Sequence, residues 1–295
     1  MKVIEEKSFV LKEDKKDWSL PSQSIGLDMG NSLTKIAYLE EERLNLVSLY
    51  TPSRSEEIVD ILRQKGILNK TYNLTGGKAY SLHIQLEKDQ STLISEFEAN
   101  AQGIRVLMHY GHIKALDKCM VVSFGTGTSV VLNDAEVRHL GGSALGGGFF
   151  LGLSRLLTGI FDFNKAIKLA QSGNQFNLDL KVADIYEEHD PRVNPLFREL
   201  NAASFGKIDL DRNLEQLSKA DILNSILAII GENVGIIVTK MAEIHNISKI
   251  IFCGGFIKKN KVLKRILSML CTYNQKKAIF PRNPEYVGAI GALFS

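Results

Sequence analysis

Cysteine is scarce in this 295-residue sequence: Cys119, Cys253 and Cys271 lie far apart, with neither CxxC nor Cys/His spacing. That argues against a disulfide framework and a structural zinc site, and it predicts a reducing, cytoplasmic setting. Five of the six histidines, His83, His109, His112, His189 and His245, fall in no HExxH or other ligand spacing and read as surface or satisfied core residues. Charge of one sign is also lacking. The 36 basic and 33 acidic residues leave +3, with basic residues interspersed among acids, so no nucleic-acid partner is expected. The longest greasy stretch, Ile222 to Val238, is interrupted by Gly231-Glu232-Asn233; it falls short of the roughly 20 apolar residues of a membrane span and predicts a soluble chain with no membrane partner. The start, MKVIEEKSFVLKEDKKDW, mixes both charge signs and has no apolar core, unlike a secretory signal. Neither a Walker A motif nor a GxGxxG fingerprint occurs, which disfavours P-loop NTPases and Rossmann dehydrogenases.

What is present is 44% apolar residues, enough for an ample core, and a length suited to about two domains. Residues 1–22 read as a charged extension outside the first core strand, with Trp18 given no role. Ser24 to Asp28, Leu33 to Leu39 and Leu44 to Leu49 predict a three-stranded meander. Ser53 to Gln64 predicts a helix, Tyr72 to Leu74 a strand, and Glu96 to His109 a helix. Strand, small-residue turn and strand then recur at Cys119 to Leu132, about 97 residues on, so a duplication is expected. Helices are predicted from the Gly146-Gly147-Gly148 segment to about Leu157, over Ala220 to His245, near Val262 to Leu270 and over Val287 to Phe294, with strands at Lys249 to Phe252 and Lys276 to Phe280. Strands linked by helices imply a covered α/β sheet in each half. The expected division is 1–22, a first lobe over 23–118 and a second over 119–295, whose terminal helix could pack on the first.

Glycine- and hydroxyl-rich turns follow several strands: Asp28-Met29-Gly30-Asn31-Ser32, Gly125-Thr126-Gly127-Thr128-Ser129, Gly146-Gly147-Gly148 and Gly254-Gly255. Turns with bare backbone amides make anion concavities, and a helix start adds the positive end of its dipole.

The segments DMGNSLTK, LTGG, EFEANAQG, SFGTGTS, LGGSALGGG, DLKVADIY, LNAASFG and VGAIGAL occur in an order that resembles the type II pantothenate kinases. These belong to the superfamily of acetate and sugar kinases, heat-shock ATPases and actin. The resemblance covers about residues 24–295, with DLKVADIY and LNAASFG specific to the family. It implies two duplicated ribonuclease-H-like lobes and transfer of the ATP γ-phosphoryl to pantothenate, the first step toward coenzyme A. It also implies Mg²⁺ as cofactor and a homodimer; the apolar-faced helix over Ala220 to His245 could supply a partner surface or equally pack inside its own lobe. Kinases of the same superfamily acting on another small hydroxylated molecule, and nucleotide-binding regulators with weakened catalysis, remain alternatives.

Residue by residue, the resemblance implies Glu96 as general base, Asp28 as anchor of hydrated Mg²⁺ and Lys35 as the cation facing the transferred phosphoryl. It places Gly30, Asn31, Ser32, Thr126, Gly127, Gly147, Gly148 and Phe149 at nucleotide or phosphate, and Phe163, which core packing explains equally well, toward adenine; Gly254 and Gly255, a further candidate phosphate turn, stand where the family often has Ser or Asn. Asn31, in place of a usual glycine, is expected to tolerate positive φ. The family usually carries arginine directly before the Val-Gly-Gly or Val-Thr-Gly segment. Here His139 precedes Leu140-Gly141-Gly142, with Arg138 one position earlier, so both are candidate substrate contacts. Adjacent strand residues face opposite ways, so Arg138 could replace the arginine only through a bulge.

Overall fold

Apolar alternation along the strands determines the layers. In the computed structural model, which describes residues 3–10, 20–52, 56–67, 70–86, 90–193, 198–208 and 216–295, two sheets form from strands that send alternate residues to opposite cores. The first contains β1 (Val3–Val10), β2 (Ser24–Met29), β3 (Leu33–Glu40), β4 (Arg43–Tyr50), β5 (Thr71–Thr75) and β6 (Ser91–Leu93), in the order β1-β4-β3-β2-β5-β6. The second contains β7 (Cys119–Phe124), β8 (Thr128–Asn133), β9 (Val137–Ser143), β12 (Lys249–Cys253) and β13 (Lys277–Ile279), in the order β13-β12-β7-β8-β9. A small ladder pairs β10 (Leu180–Lys181) with β11 (Asn201–Ala203).

Leaving β1 aside, the two sheets have one topology: an antiparallel three-strand meander whose first strand is extended on its other edge by two successive parallel strands. The repeat is thus a repeat of folded units. On the outer face of the first sheet, Ile58, Ile61 and Leu62 of α1 (Glu56–Gln64) and Leu82 of α2 (Ala79–His83) pack on Ile25, Leu27, Ile36 and Leu74. Helices α3 (Glu96–His109) and α9 (Val287–Leu293) lie between the sheets, covering Ala37 and Leu39 on one side and Cys119, Val121 and Cys253 on the other. The outer face of the second sheet is covered by α4 (Gly147–Thr158), α5 (Phe163–Ala170), α7 (Lys219–Ile244) and α8 (Lys261–Tyr273); α6 (Val182–Ile185) is a single turn beside β10.

Glycines let α9 sink onto its neighbours. A Cβ at Gly291 would come within 1.7 Å of the Ala99 carbonyl oxygen, one at Gly103 within 2.1 Å of the Val287 oxygen, and one at Gly26 within 2.1 Å of the Ala289 oxygen. The terminal helix is thereby keyed into both α3 and β2.

Three expectations are corrected. Residues 3–10, expected as an extension outside the sheet, form edge strand β1, paired antiparallel with β4 from Val3↔Leu49 to Val10↔Arg43. Val3 and Phe9 contact the cores, and Glu5 and Lys7 share their half-buried face, so charges placed inward hid the two-residue period. Second, α7 runs unbroken through Gly231-Glu232-Asn233 and is long and apolar enough to cross a membrane by length and composition alone. Most of its apolar stretch, 72%, is buried inside the protein, since one glycine costs a helix only ~1 kcal/mol and packing outweighs it. Third, Asn31 is absent from the positive-φ residues, because the turn closes through Gly30 N–H donating to Leu33 O at 3.1 Å. The helix expected from Ser53 is described from Glu56; Ser53 and Trp18 lie outside the described residues.

Candidate functional site

The β2–β3 hairpin sets Asp28 directly across from Lys35. Their charged groups lie 3.6 Å apart, both mostly shielded from solvent. Asp28 also pairs with Thr75 on β5, and the following Gly76, at φ +91°, passes so close that a Cβ would fall 2.8 Å from Asp28 Oδ1. Gly288 of α9 approaches from the other side, leaving 3.1 Å between a hypothetical Cβ and Oδ2. The carboxylate is thus fixed between two glycines. Lys35 Nζ reaches toward Gly30, whose Cβ would lie 3.5 Å from it. The turn is braced by Thr51, whose hydroxyl donates to Gly30 O at 2.7 Å and whose amide donates to Ser32 O at 2.9 Å.

Ser95 caps α3 by accepting from the Phe97 amide at 3.3 Å, which places Glu96 at the first helical position. Desolvation raises the Glu96 pKa above that of an ordinary glutamate, the Asp28 carboxylate raises it further, and Lys35 pulls it partly back. Glu96, Asp28 and Lys35 therefore form one electrostatic unit. Cys253, at the end of β12, senses both carboxylates, and burial pushes its thiol to about 12. The C-terminal ends of β2 and β12 therefore converge, the position where α/β sheets hold ligands.

His139 meets the start of α3 at Phe97, the residue after Glu96. Its ring stacks on Phe97 with centroids 3.8 Å apart and planes 13° from parallel. Its strand partner is Val131, on the face covered by α3, whereas Arg138 pairs with Leu132, whose side chain enters the opposite core. The β9 bulge falls between the pairs Val131↔His139 and Val130↔Gly141, at Leu140. It comes after both candidates, so it does not bring Arg138 to the face of Glu96.

The second turn closes by Gly125 N–H donating to Gly127 O at 2.9 Å. Helix α4 starts against it, with Gly147 N–H donating to Gly125 O and Gly148 N–H to Thr126 O, each at 2.9 Å. These two amides, expected to face phosphate, are occupied by the turn's own carbonyls. Phe149 follows in the first turn of α4 and packs against the second-lobe core. Phe163 stands over Gly147, 3.7 Å from a hypothetical Cβ, among Phe150 and Phe256. Gly254 is required by packing, since its φ is +94° and a Cβ would strike Phe124 O at 2.3 Å. Gly255 and Gly77 have open space where a Cβ would stand, and Gly125 meets only Gly127 O at 3.9 Å. Bare backbone demanded by neither φ nor packing is what close ligand approach needs.

The sequence reading overlooked two buried hydroxyls, Thr75 Oγ1 and Ser129 Oγ, which have no hydrogen-bond partner. Ser129 lies two residues before Val131, on the same face of β8; both hydroxyls sit in quoted motifs, LTGG and SFGTGTS. The two family-specific blocks meet elsewhere. Asp179 accepts from the Phe205 amide at 2.8 Å, holding Phe205 at φ +57°, and Asn201 donates to Glu232 at 2.9 Å. Burial raises the pKa of both Asp179 and Glu232.

The described residues contain no cluster of three His, Cys, Asp or Glu able to cage a metal. Asp28 does suit hydrated Mg²⁺, which needs one or two carboxylates plus phosphate oxygens and keeps its remaining waters.

The fold is that of the acetate and sugar kinase, heat-shock ATPase and actin superfamily. The chain matches a ROK family glucokinase from Streptomyces griseus, solved with glucose and AMPPNP, at TM-score 0.56 and 11% identity, over 92% of this chain and 97% of that one. It matches the ROK hexokinase from Thermus thermophilus at 0.54 and 14%, over 92% and 96%. Residues 24–295 match the family model described as Fumble. A protein named type II pantothenate kinase from Bacillus thuringiensis subsp. konkukian (strain 97-27) is 36% identical over 275 residues, 92% of this chain and 96% of its own length. One of the same name from Oceanobacillus iheyensis is 32% identical over 271 residues, 92% and 98%. The chain belongs to this family.

Proposed function

We propose that the protein is a pantothenate kinase, transferring the γ-phosphoryl of ATP to the primary hydroxyl of pantothenate to give 4′-phosphopantothenate and ADP. The observation that carries this reading is the unit of Asp28, Lys35 and Glu96 at the end of β2, in a chain of this family. Glu96 accepts the proton as the hydroxyl oxygen bonds to the γ-phosphorus and the bond to the β-phosphate oxygen breaks. A carboxylate of raised pKa is a stronger base than an ordinary one. Lys35 offers a fixed cation to the phosphoryl oxygens as charge spreads over them. Asp28 would hold a hydrated Mg²⁺, which would supply charge neutralisation at the phosphates.

In this reading residues 23–118 carry the acid–base group and 119–295 the nucleotide turns. Gly30, Asn31 and Ser32 line the phosphate path with Thr126 and Gly127, Gly255 faces nucleotide, and Phe163 lies on the adenine side. His139 contacts the acceptor; Arg138 is set aside, because it shares a face with Leu132. The protein acts in the cytoplasm as a homodimer, and the exposed Ile236, Ile237 and Ile244 of α7 supply an apolar surface for the second copy. One observation favours a second reading, a kinase for another small hydroxylated acceptor: an imidazole, stacked on Phe97, stands where the family usually has arginine. A coupled ADP-release assay with Mg-ATP and a panel of hydroxylated acceptors decides. Turnover with pantothenate and mass-spectrometric detection of 4′-phosphopantothenate are expected, and turnover with a different acceptor alone would overturn the assignment.

A further inference from the structure

Strand β1 lies outside residues 24–295, the stretch the family model matches. Its inward charges nevertheless reach the second lobe. Lys258, which follows the buried Phe256 and Ile257, places its ammonium between Glu5 of β1 and Glu285, with Glu285 Oε1 at 2.8 Å and Glu5 in direct contact. Lys7 completes the group, donating to Asn283 Oδ1 at 2.8 Å and lying 3.2 Å from Glu285. The Tyr286 hydroxyl donates to Glu5 at 3.4 Å. Glu285 is 5% exposed, so its charge is held within the protein by the two lysines. The segment carrying Lys258 is the turn after β12: Gly254 N–H donates to Pro284 O at 2.8 Å, and Lys258 N–H donates to Gly255 O at 3.3 Å. Lys258 therefore sits three residues from Gly255, whose backbone is open.

We propose that β1 is an interlobe strap, and that Glu5 and Lys258 are positioning residues that hold the Gly254–Gly255 turn at the distance from the first lobe at which it receives nucleotide. The inference rests on the reading of that turn as nucleotide-binding. Two charges of each sign converge here; the group is neutral with or without β1, but only with β1 does each lysine lie against two carboxylates. Without β1, Lys258 keeps Glu285 alone, and the buried Glu285 loses one of its two cations. Mobility of the turn then costs nucleotide binding, because an ordered turn must be re-formed each time.

The test uses the full chain and its Glu5→Gln, Lys258→Met and Lys258→Arg variants, with the Glu5→Gln/Lys258→Met double variant. Each disrupting single is expected to raise KM for ATP roughly threefold to tenfold, the scale of a partly buried ion pair, and to leave KM for the acceptor unchanged. Lys258→Arg retains wild-type KM, and the double variant is no worse than the worse single, since both remove one interaction. Hydrogen exchange at residues 253–258 separates the two ideas. Faster exchange in unliganded Glu5→Gln than in wild type supports the strap, and equal exchange with an unchanged KM for ATP overturns it, even if Tm falls. Failure of Mg-ATP to protect the turn in wild type would overturn the nucleotide reading, and the positioning role with it.

Discussion

His139 lies flat on Phe97, with ring centroids 3.8 Å apart, one residue beyond Glu96 in the helix that carries it. The imidazole thereby rests on an aromatic shelf one residue from Glu96, the proposed proton acceptor. His139→Arg should raise kcat/KM for pantothenate by roughly tenfold, because a planar guanidinium keeps the stack and binds two oxygens at once. Steady-state kinetics checks this. Loss of activity in this variant, with wild-type turnover of a different acceptor, would mean that the pocket is built around imidazole.

Glu96→Gln should bind ATP normally and turn over on the order of 10²-fold or more slowly, since the amide keeps the shape and cannot take the proton. Single-turnover phosphorylation and nucleotide titration separate the two effects; near-normal turnover would remove Glu96 from the mechanism.

The raised pKa of Glu96 sets a pH dependence. A base works deprotonated, so kcat/KM for the acceptor should rise with pH through an inflection above that of free glutamate. Asp28→Asn removes a repelling charge and should move the Glu96 titration down; Lys35→Met should move it up. Carboxyl NMR follows the shift even where the variants turn over slowly.

The same shift links Glu96 to stability. Its folded pKa lies above its unfolded value, so the folded state binds the proton more tightly. The resulting stability is full below the unfolded pKa and is lost as pH rises through the folded one. At neutral pH Glu96→Gln should therefore melt higher than wild type, with the difference vanishing below about pH 4. A melting temperature unchanged at pH 7 would show that the charge carries no folding cost.

Gly291→Ala should destabilise by about 3 kcal/mol or more, because its methyl would stand 1.7 Å from the Ala99 oxygen and backbone would have to move on both α3 and α9. Differential scanning fluorimetry should show a drop of roughly ten degrees. Wild-type melting would mean that α9 docks more loosely than the close approach requires.

Much of this protein was legible in one dimension. Period and punctuation alone placed α3 at Glu96–His109 and β7 at Cys119–Phe124, because each is bounded by local chemistry: a serine cap in one, a glycine turn in the other. The repeated strand, turn and strand announced the duplication, and the pairing of Asp28 with Lys35 follows from a hairpin whose turn lies between them. What the sequence could not decide is anything fixed by contacts between distant segments. The amides of Gly147 and Gly148 were expected to face phosphate, yet packing of α4 on the second turn gives them to Gly125 and Thr126. The choice between Arg138 and His139 depended on register with β8 and on Phe97, 42 residues before His139 in the chain. Strand β1 looked like a solvated tail because a strand's charges declare nothing until their partners are known, and those partners, Lys258 and Glu285, lie more than 250 residues away. Local propensity determines elements; which faces and charges meet is settled only when the two lobes close on a shared core.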